Sequence, residues 1–142
     1  MPIEQITPTQ AQALLEKEME ALYVDVRSIP EFAAGHPKGA INIPLLHSTG
    51  GGMTPNPDFQ SVVEKILPKN KKLVVGCQAG GRSQKACQIL SAAGYEDVSN
   101  VMGGFGGGMN SLTGEPLKGW KDQGLPVSQD NGEGIGYEFL KK

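Results

Sequence analysis

The chain has 142 residues, 38% hydrophobic and 20% charged, which suits a folded domain with one core rather than a disordered segment. Its net charge of −2 offers no basic surface for nucleic acid, and its apolar runs fall far short of the roughly 20 residues that span a membrane. The N-terminus lacks the features of a signal peptide, so we expect a cytoplasmic protein that binds neither nucleic acid nor membrane.

Helix and strand signals alternate along the chain. Thr7 with Gln10 and Ser28 with Glu31 have the spacing of capping boxes, and short β-branched runs indicate buried strands. The expected elements are a strand at 3–6, a helix from 7 to about 19, a strand at 22–26, a short helix at 28–35, a strand at 40–43, a Gly- and Pro-rich loop at 47–57, a helix at 58–67, a strand at 72–76, a helix from Arg82 or Ser83 to Ala93, and a strand at 97–101.

This alternation predicts an α/β fold. Strands joined through helices run parallel, with helices covering both faces of the sheet. We therefore expect a three-layer α/β/α domain with a central, mostly parallel sheet of four to five strands. The site of such a sheet lies beyond the carboxyl ends of its strands. Asp25 and Arg27 follow one predicted strand and Cys77 follows another.

The loop after the strand at 72–76 carries the most reactive residues of the chain. It reads Cys77-Gln78-Ala79-Gly80-Gly81-Arg82-Ser83. Its adjacent glycines permit positive φ and a close backbone, so that several amide N–H groups can converge on one point. The dipole of the following helix and the Arg82 guanidinium, a fork for an oxyanion, add positive charge. A cysteine in such a loop favours its nucleophilic thiolate form.

The second cysteine, Cys87, lies ten residues after Cys77 in the predicted helix. The two cannot reach disulfide geometry without unwinding that helix. We expect Cys87 to be a buried, inert thiol rather than a resolving cysteine.

Three blocks of sequence, in order and at suitable spacing, resemble the rhodanese homology domain. The first is Val24-Asp25-Val26-Arg27 with Glu31-Phe32 and the run Gly35-His36-Pro37-Lys38-Gly39-Ala40-Ile41-Asn42-Ile43-Pro44; the second is the loop at 77–83; the third is Gly103-Gly104-Phe105 with Trp120 and Gly124-Leu125-Pro126-Val127. The resemblance covers nearly all of residues 1–127.

The resemblance implies a sulfurtransferase that needs no metal or organic cofactor. Cys77 would take the outer sulfur of thiosulfate or of a persulfide donor, and a thiophilic acceptor (cyanide or a cellular thiol) would then remove it. The residues implied to cradle the Cys77 persulfide are Gln78, Ala79, Gly80, Gly81, Arg82 and Ser83. Two alternatives stay open, namely a sulfur-relay partner that delivers persulfide to an acceptor protein, and a non-catalytic interaction module. The intact Cys77 argues against the module.

Loop length separates this chain from related enzymes. Cell-cycle phosphatases and related arsenate reductases share the fold of the rhodanese homology domain, but they place five residues between cysteine and arginine. Four residues separate Cys77 from Arg82 here, which is the sulfurtransferase length. Position 81 is glycine, where thiosulfate-using relatives often carry a basic residue, so we expect thiosulfate to be a poor donor.

Three further residues are expected to support the site without reacting. Asp25 and Arg27 should form an ion pair near it, and His36 should hold the adjoining loop rather than act as a base. We expect the domain to span 1–127, with an insert at 106–119 that forms a flap near the site or a surface excursion. The tail at 128–142 carries apolar residues that suggest docking on the domain or on a second subunit.

Overall fold

The computed structural model describes residues 3–142; Met1 and Pro2, with which the expected domain begins, lie outside the described residues. The helices and strands in chain order are β1 (Glu4–Ile6), α1 (Pro8–Lys17), β2 (Leu22–Asp25), α2 (Ile29–Ala34), β3 (His36–Pro37), β4 (Ile41–Asn42), β5 (Leu46–Thr49), β6 (Gly52–Pro55), α3 (Phe59–Ile66), β7 (Lys72–Gly76), α4 (Gly81–Ala92), β8 (Asp97–Val101), β9 (Gly108–Met109), β10 (Pro116–Leu117), β11 (Val127–Ser128) and α5 (Tyr137–Leu140). Within 3–142, no helix has the length and apolar character that crossing a bilayer demands.

Five parallel strands form the central sheet, in the order β1-β8-β7-β2-β4. Successive residues of one strand face opposite sides. Leu73 and Val75 of β7 belong to the cluster that contains α3 and α4, whereas Val74 packs with α1, α2 and Trp120. Helices thus cover both faces, which confirms the predicted α/β fold with its parallel sheet.

The helix boundaries follow their capping residues. Gln10 N–H donates to Thr7 Oγ1 at 3.2 Å and Thr7 N–H donates to Gln10 Oε1 at 2.8 Å, which completes the expected capping box of α1. That helix ends at Lys17 rather than near Met19, whose side chain is 95% exposed and has no core to pack against.

The expectation of an irregular loop at 47–57 is wrong. Strands β5 and β6 form an antiparallel hairpin there, in which Thr49 pairs with Gly52 across a turn at 50–51. Most of its residues are exposed and the hairpin pairs only with itself within the described residues. It therefore lacks the buried, apolar pattern by which a strand is recognised in sequence.

The predicted insert and tail both contact the body of the domain. Strands β9 and β10 form a small hairpin within 106–119. In the tail, Tyr137 is 3% exposed and its hydroxyl accepts a hydrogen bond from Asn56 Nδ2 at 3.1 Å. The carbonyl of Ile135 accepts a hydrogen bond from Asn42 N–H in β4. The tail thus docks on its own domain.

Candidate active site

The reactive loop lies at the carboxyl end of the central sheet. Strand β7 ends at Gly76, Cys77 follows it, and α4 begins at Gly81. Asp25 ends the neighbouring strand β2, directly opposite Gly76 in the register. The fold thereby brings together the two groups of polar residues that follow separate strands in the sequence.

Two hydrogen-bond donors approach the sulfur of Cys77, which is 2% exposed. The Gly80 N–H lies 3.0 Å from Sγ, and the Ser83 hydroxyl lies 3.4 Å from it. The same hydroxyl also contacts Asn100 Oδ1. The Gly80 carbonyl, 3.2 Å away, is a third acceptor. Because a hydroxyl has one proton, Ser83 donates to only one of the three at a time. A negatively charged sulfur is the stronger acceptor, so ionisation of Cys77 favours the bond to Sγ.

Only one of the two loop glycines adopts positive φ. Gly80 has φ of 112°, and a Cβ there would lie 3.4 Å from the backbone nitrogen of Gly103. Gly81 is instead the first residue of α4, and a Cβ on it would meet nothing within 4 Å. Glycine is therefore required at position 80 but not at 81. The N–H groups of the first turn of α4 have no acceptor within the helix and point toward the loop.

A glycine-rich segment, residues 103–108, braces the loop from outside. Phe105 N–H donates to the Cys77 carbonyl at 2.8 Å, and Gly106 N–H donates to the Gln78 carbonyl at 2.9 Å. In a trans peptide the N–H points opposite to the C=O. The two bonds therefore direct the N–H groups of Gln78 and Ala79 away from this brace, a feature the sequence did not predict.

Close approach of the brace depends on its glycines. A Cβ at Gly108 would lie 2.5 Å from the Ala79 carbonyl oxygen. A Cβ at Gly104 would lie 2.8 Å from the Gln78 carbonyl group and nearer still to the carbonyl oxygen of Cys77. Real side chains are not found at such distances from backbone atoms, so any other residue would displace the brace or the loop.

Arg82 does not present a free guanidinium. Its two terminal nitrogens lie 2.7 and 3.0 Å from the carboxylate oxygens of Glu31. Burial raises the pKa of Glu31, but hydrogen bonds from Arg82 and Ser28 outweigh it and lower that pKa to about 2. The hydrogen bond to Glu31 raises the pKa of Arg82 in turn. Both groups are charged at neutral pH, and the fork that we expected to serve an oxyanion is occupied by a carboxylate.

Arg27 and Asp25 form a second ion pair beside the loop. Arg27 Nη2 lies 2.8 Å from Asp25 Oδ2, and both side chains are buried. Arg27 also donates to the Gly35 carbonyl at 2.6 Å and to Gln78 Oε1 at 3.2 Å. It therefore links the end of α2 to the residue after Cys77.

His36 holds the chain between α2 and β3. Its Nδ1 lies 2.8 Å from the Phe32 carbonyl, and its ring stacks on the Phe32 ring with centroids 3.6 Å apart. The ring is buried and remote from solvent. These contacts are those of a packing residue.

Cys87 faces the core from α4. Burial raises the pKa of this thiol to about 12, and the nearby charge of Cys77 contributes. A thiol with so high a pKa is not a nucleophile at neutral pH. Among residues 3–142, no three His, Cys, Asp or Glu side chains are grouped so that they could hold a metal ion.

Sequence reasoning missed three contributors to the site. Glu31 had the spacing of a capping residue, and it does accept a hydrogen bond from Ser28 N–H, yet its main partner is Arg82. Asn100, near the end of β8, contacts Ser83. Its position at the carboxyl end of a strand was the signal that could have identified it. The brace also follows the carboxyl end of β8, but its contacts with the loop come from backbone groups, so no side chain indicated them.

Several known proteins have sequences similar to that of this chain. The family model described as the rhodanese-like domain matches residues 7–110. Thiosulfate sulfurtransferase 16, chloroplastic, of Arabidopsis thaliana is 38% identical over 105 residues, which cover 74% of this chain and 78% of that protein. Protein HIGH ARSENIC CONTENT 1, mitochondrial, of the same plant is 45% identical over 83 residues, which cover 58% of this chain and 49% of that protein.

A solved structure has a similar fold. The crystal structure of Rv0390 from M. tuberculosis matches with a TM-score of 0.75 and 28% identity, over 92% of this chain and 100% of that one. The words chloroplastic and mitochondrial describe the plant relatives and not this chain, so a cytoplasmic location stays a prediction. The domain limits at 1–127 also stay a prediction. Because the family model matches well over half of the sequence, and a relative is 38% identical over most of both chains, the chain belongs to the family of the rhodanese-like domain.

Proposed function

We propose that this protein is a sulfurtransferase that carries sulfane sulfur as a persulfide on Cys77. The observation that carries the proposal is the position of Cys77 Sγ at the N-terminus of α4, where it accepts a hydrogen bond from Gly80 N–H and lies 3.4 Å from the Ser83 hydroxyl, a second donor available to it. Relatives named as thiosulfate sulfurtransferases support the same class of reaction. Sulfur transfer through a cysteine persulfide requires no metal and no organic cofactor.

The transfer proceeds by two displacements. The Cys77 thiolate attacks the outer sulfur of the donor, a new S–S bond forms, and the donor's S–S bond breaks with its electron pair leaving on sulfite or on a thiolate. An acceptor thiolate or cyanide then attacks the terminal sulfur, and the electron pair of the Cys77–sulfur bond returns to Cys77. No external oxidant or reductant is consumed. Loop N–H groups stabilise the negative terminal sulfur between the two steps.

A persulfide fits this site better than thiosulfate does. Thiosulfate is a dianion, yet the Arg82 guanidinium is already paired with Glu31. Position 81 carries no side chain that could add charge. The positive potential at Cys77 therefore comes mainly from backbone N–H groups and the helix dipole, which suffice for a singly charged persulfide. A dedicated relay to an acceptor protein would use the same Cys77 chemistry and differs only in the acceptor.

Intact mass spectrometry tests the proposal. After incubation with thiosulfate or with a small persulfide, we expect a gain of one sulfur atom that a thiol or cyanide removes. Cys77→Ser should abolish the gain, and the matched variant Cys87→Ser should retain it. If neither donor gives an adduct on the wild-type protein, or if Cys77→Ser still gains sulfur, the proposal is wrong. Arsenate offered with a thiol should not be reduced, since the loop has the shorter spacing.

A further inference from the structure

A cleft of about 550 Å³ opens beside the Cys77 loop. Gln78, the residue after Cys77, forms part of its wall, and Phe105 and Val127 give it apolar surface. Pockets that bind organic molecules have volumes of about 300–1,000 Å³. The cleft therefore has room for an organic molecule, far more than an inorganic sulfur donor would fill.

Three charged residues line this cleft, and two of them are already paired. Arg27 is held by Asp25, and Glu31 is held by Arg82. The third is Lys121, for which the described part of the chain records no ion pair. One unpaired positive charge is thus left to meet a ligand.

The position of Lys121 is fixed by the fold. Its backbone N–H donates to the Phe105 carbonyl at 3.2 Å, and the preceding Trp120 is fully buried with its N–H on the Gly104 carbonyl at 2.8 Å. Lys121 Nζ lies 6.0 Å from the centre of the Phe105 ring. The cation and the apolar surface therefore stand side by side, next to the loop that carries Cys77.

We infer that this cleft binds a small organic thiol, or its persulfide, whose carboxylate pairs with Lys121. The inference rests on the proposed function, because it names the class of molecule that exchanges sulfur with Cys77. The apolar part of the ligand contacts Phe105 and Val127. Its thiolate attacks the terminal sulfur of the Cys77 persulfide, and the electron pair of the broken S–S bond returns to Cys77.

Two acceptors of similar reach separate the contribution of the carboxylate from that of the thiol. Cys77 is first loaded with sulfur and checked by intact mass, and the rate of sulfur removal is then measured with 3-mercaptopropionate and with 2-mercaptoethanol. For each protein, kcat/KM with 3-mercaptopropionate is divided by kcat/KM with 2-mercaptoethanol. This ratio is compared among the wild type, Lys121→Met and Lys121→Arg. Comparing ratios cancels the intrinsic reactivity of each thiol. Lys118→Met is the matched control, since Lys118 is exposed but does not line the cleft.

We expect Lys121→Met to lower the ratio about fivefold, as the loss of one partly exposed ion pair would. Lys121→Arg should keep the wild-type ratio, and so should Lys118→Met. A ratio unchanged in Lys121→Met overturns the inference, and so does an equal loss of rate with both acceptors. If the wild-type protein never loads sulfur, the proposed function itself fails, and the mass measurement shows this before any acceptor is added.

Discussion

Replacement of Gly104 by alanine tests whether the brace at 103–108 positions the Cys77 loop. Gly104 has φ of 51°, and an added Cβ would press on the carbonyl groups of Cys77 and Gln78. Both are backbone groups that cannot swing away as a side chain can. The brace or the loop must therefore move by roughly half an ångström or more, which is the tolerance within which reacting groups have to be held.

Gly114→Ala is a matched control for this substitution. Gly114 also has positive φ, at 79°, but a Cβ there would meet nothing within 4 Å. Its free energy of unfolding should fall only by what a left-handed backbone costs alanine, about 1–2 kcal/mol. In Gly104→Ala the clash adds to this backbone cost, so the free energy of unfolding should fall by about 3 kcal/mol or more in total. The difference between the two variants isolates the contact with the loop.

Urea unfolding measures the loss of stability, and single-turnover loading of Cys77 with sulfur measures the loss of function. Displacement of a reacting group by about 1 Å costs on the order of 100-fold in rate. We expect Gly104→Ala to load about 10- to 100-fold more slowly at a temperature where it stays folded, and Gly114→Ala to load within about twofold of the wild type. Equal loading rates in the two variants would refute the role of the brace.

The remaining predictions concern two ionisable groups. Because the pKa of Cys87 is about 12, iodoacetamide at neutral pH should leave Cys87 unmodified in the folded protein and modify it in urea, as peptide mapping can show; labelling at equal rates in both conditions would contradict this. Because the pKa of Glu31 falls from 4.5 to about 2 on folding, its pair with Arg82 stabilises the protein above pH 4.5, and this stability is lost as the pH falls through 2. Glu31→Gln should therefore lower the free energy of unfolding by about 2 kcal/mol at pH 7 and by less at pH 3; a penalty independent of pH would show that charge is not its cause.

Local signals in the sequence accounted for much of the fold. The capping pair Thr7 and Gln10, the apolar run Lys72–Gly76 and the glycine that ends α2 each act within a few residues of the boundary they set. The position of Cys77 could be predicted for the same reason, because it lies between a strong strand and a strong helix signal. Such patterns need no knowledge of distant contacts.

Contacts over long distances in the chain could not be inferred in this way. Glu31 and Arg82 are 51 residues apart, and nothing local to Arg82 shows that its charge is already paired. Composition also cannot distinguish glycines that fill turns from glycines that allow contact. Gly50 would tolerate a Cβ with nothing within 4 Å, whereas Gly104 would not, yet both lie in similar glycine clusters.

The charges around the loop decide which part of it holds the sulfur in the proposed reaction. Asp25 with Arg27 and Glu31 with Arg82 are two neutral pairs, so neither arginine adds a net charge near Cys77. The Gly80 N–H and the first turn of α4 are left to stabilise a negative sulfur, and they act only while the backbone keeps its shape. Backbone geometry at the brace should therefore matter more for persulfide formation than the Arg82 side chain, from which the sequence predicted an anion-binding fork.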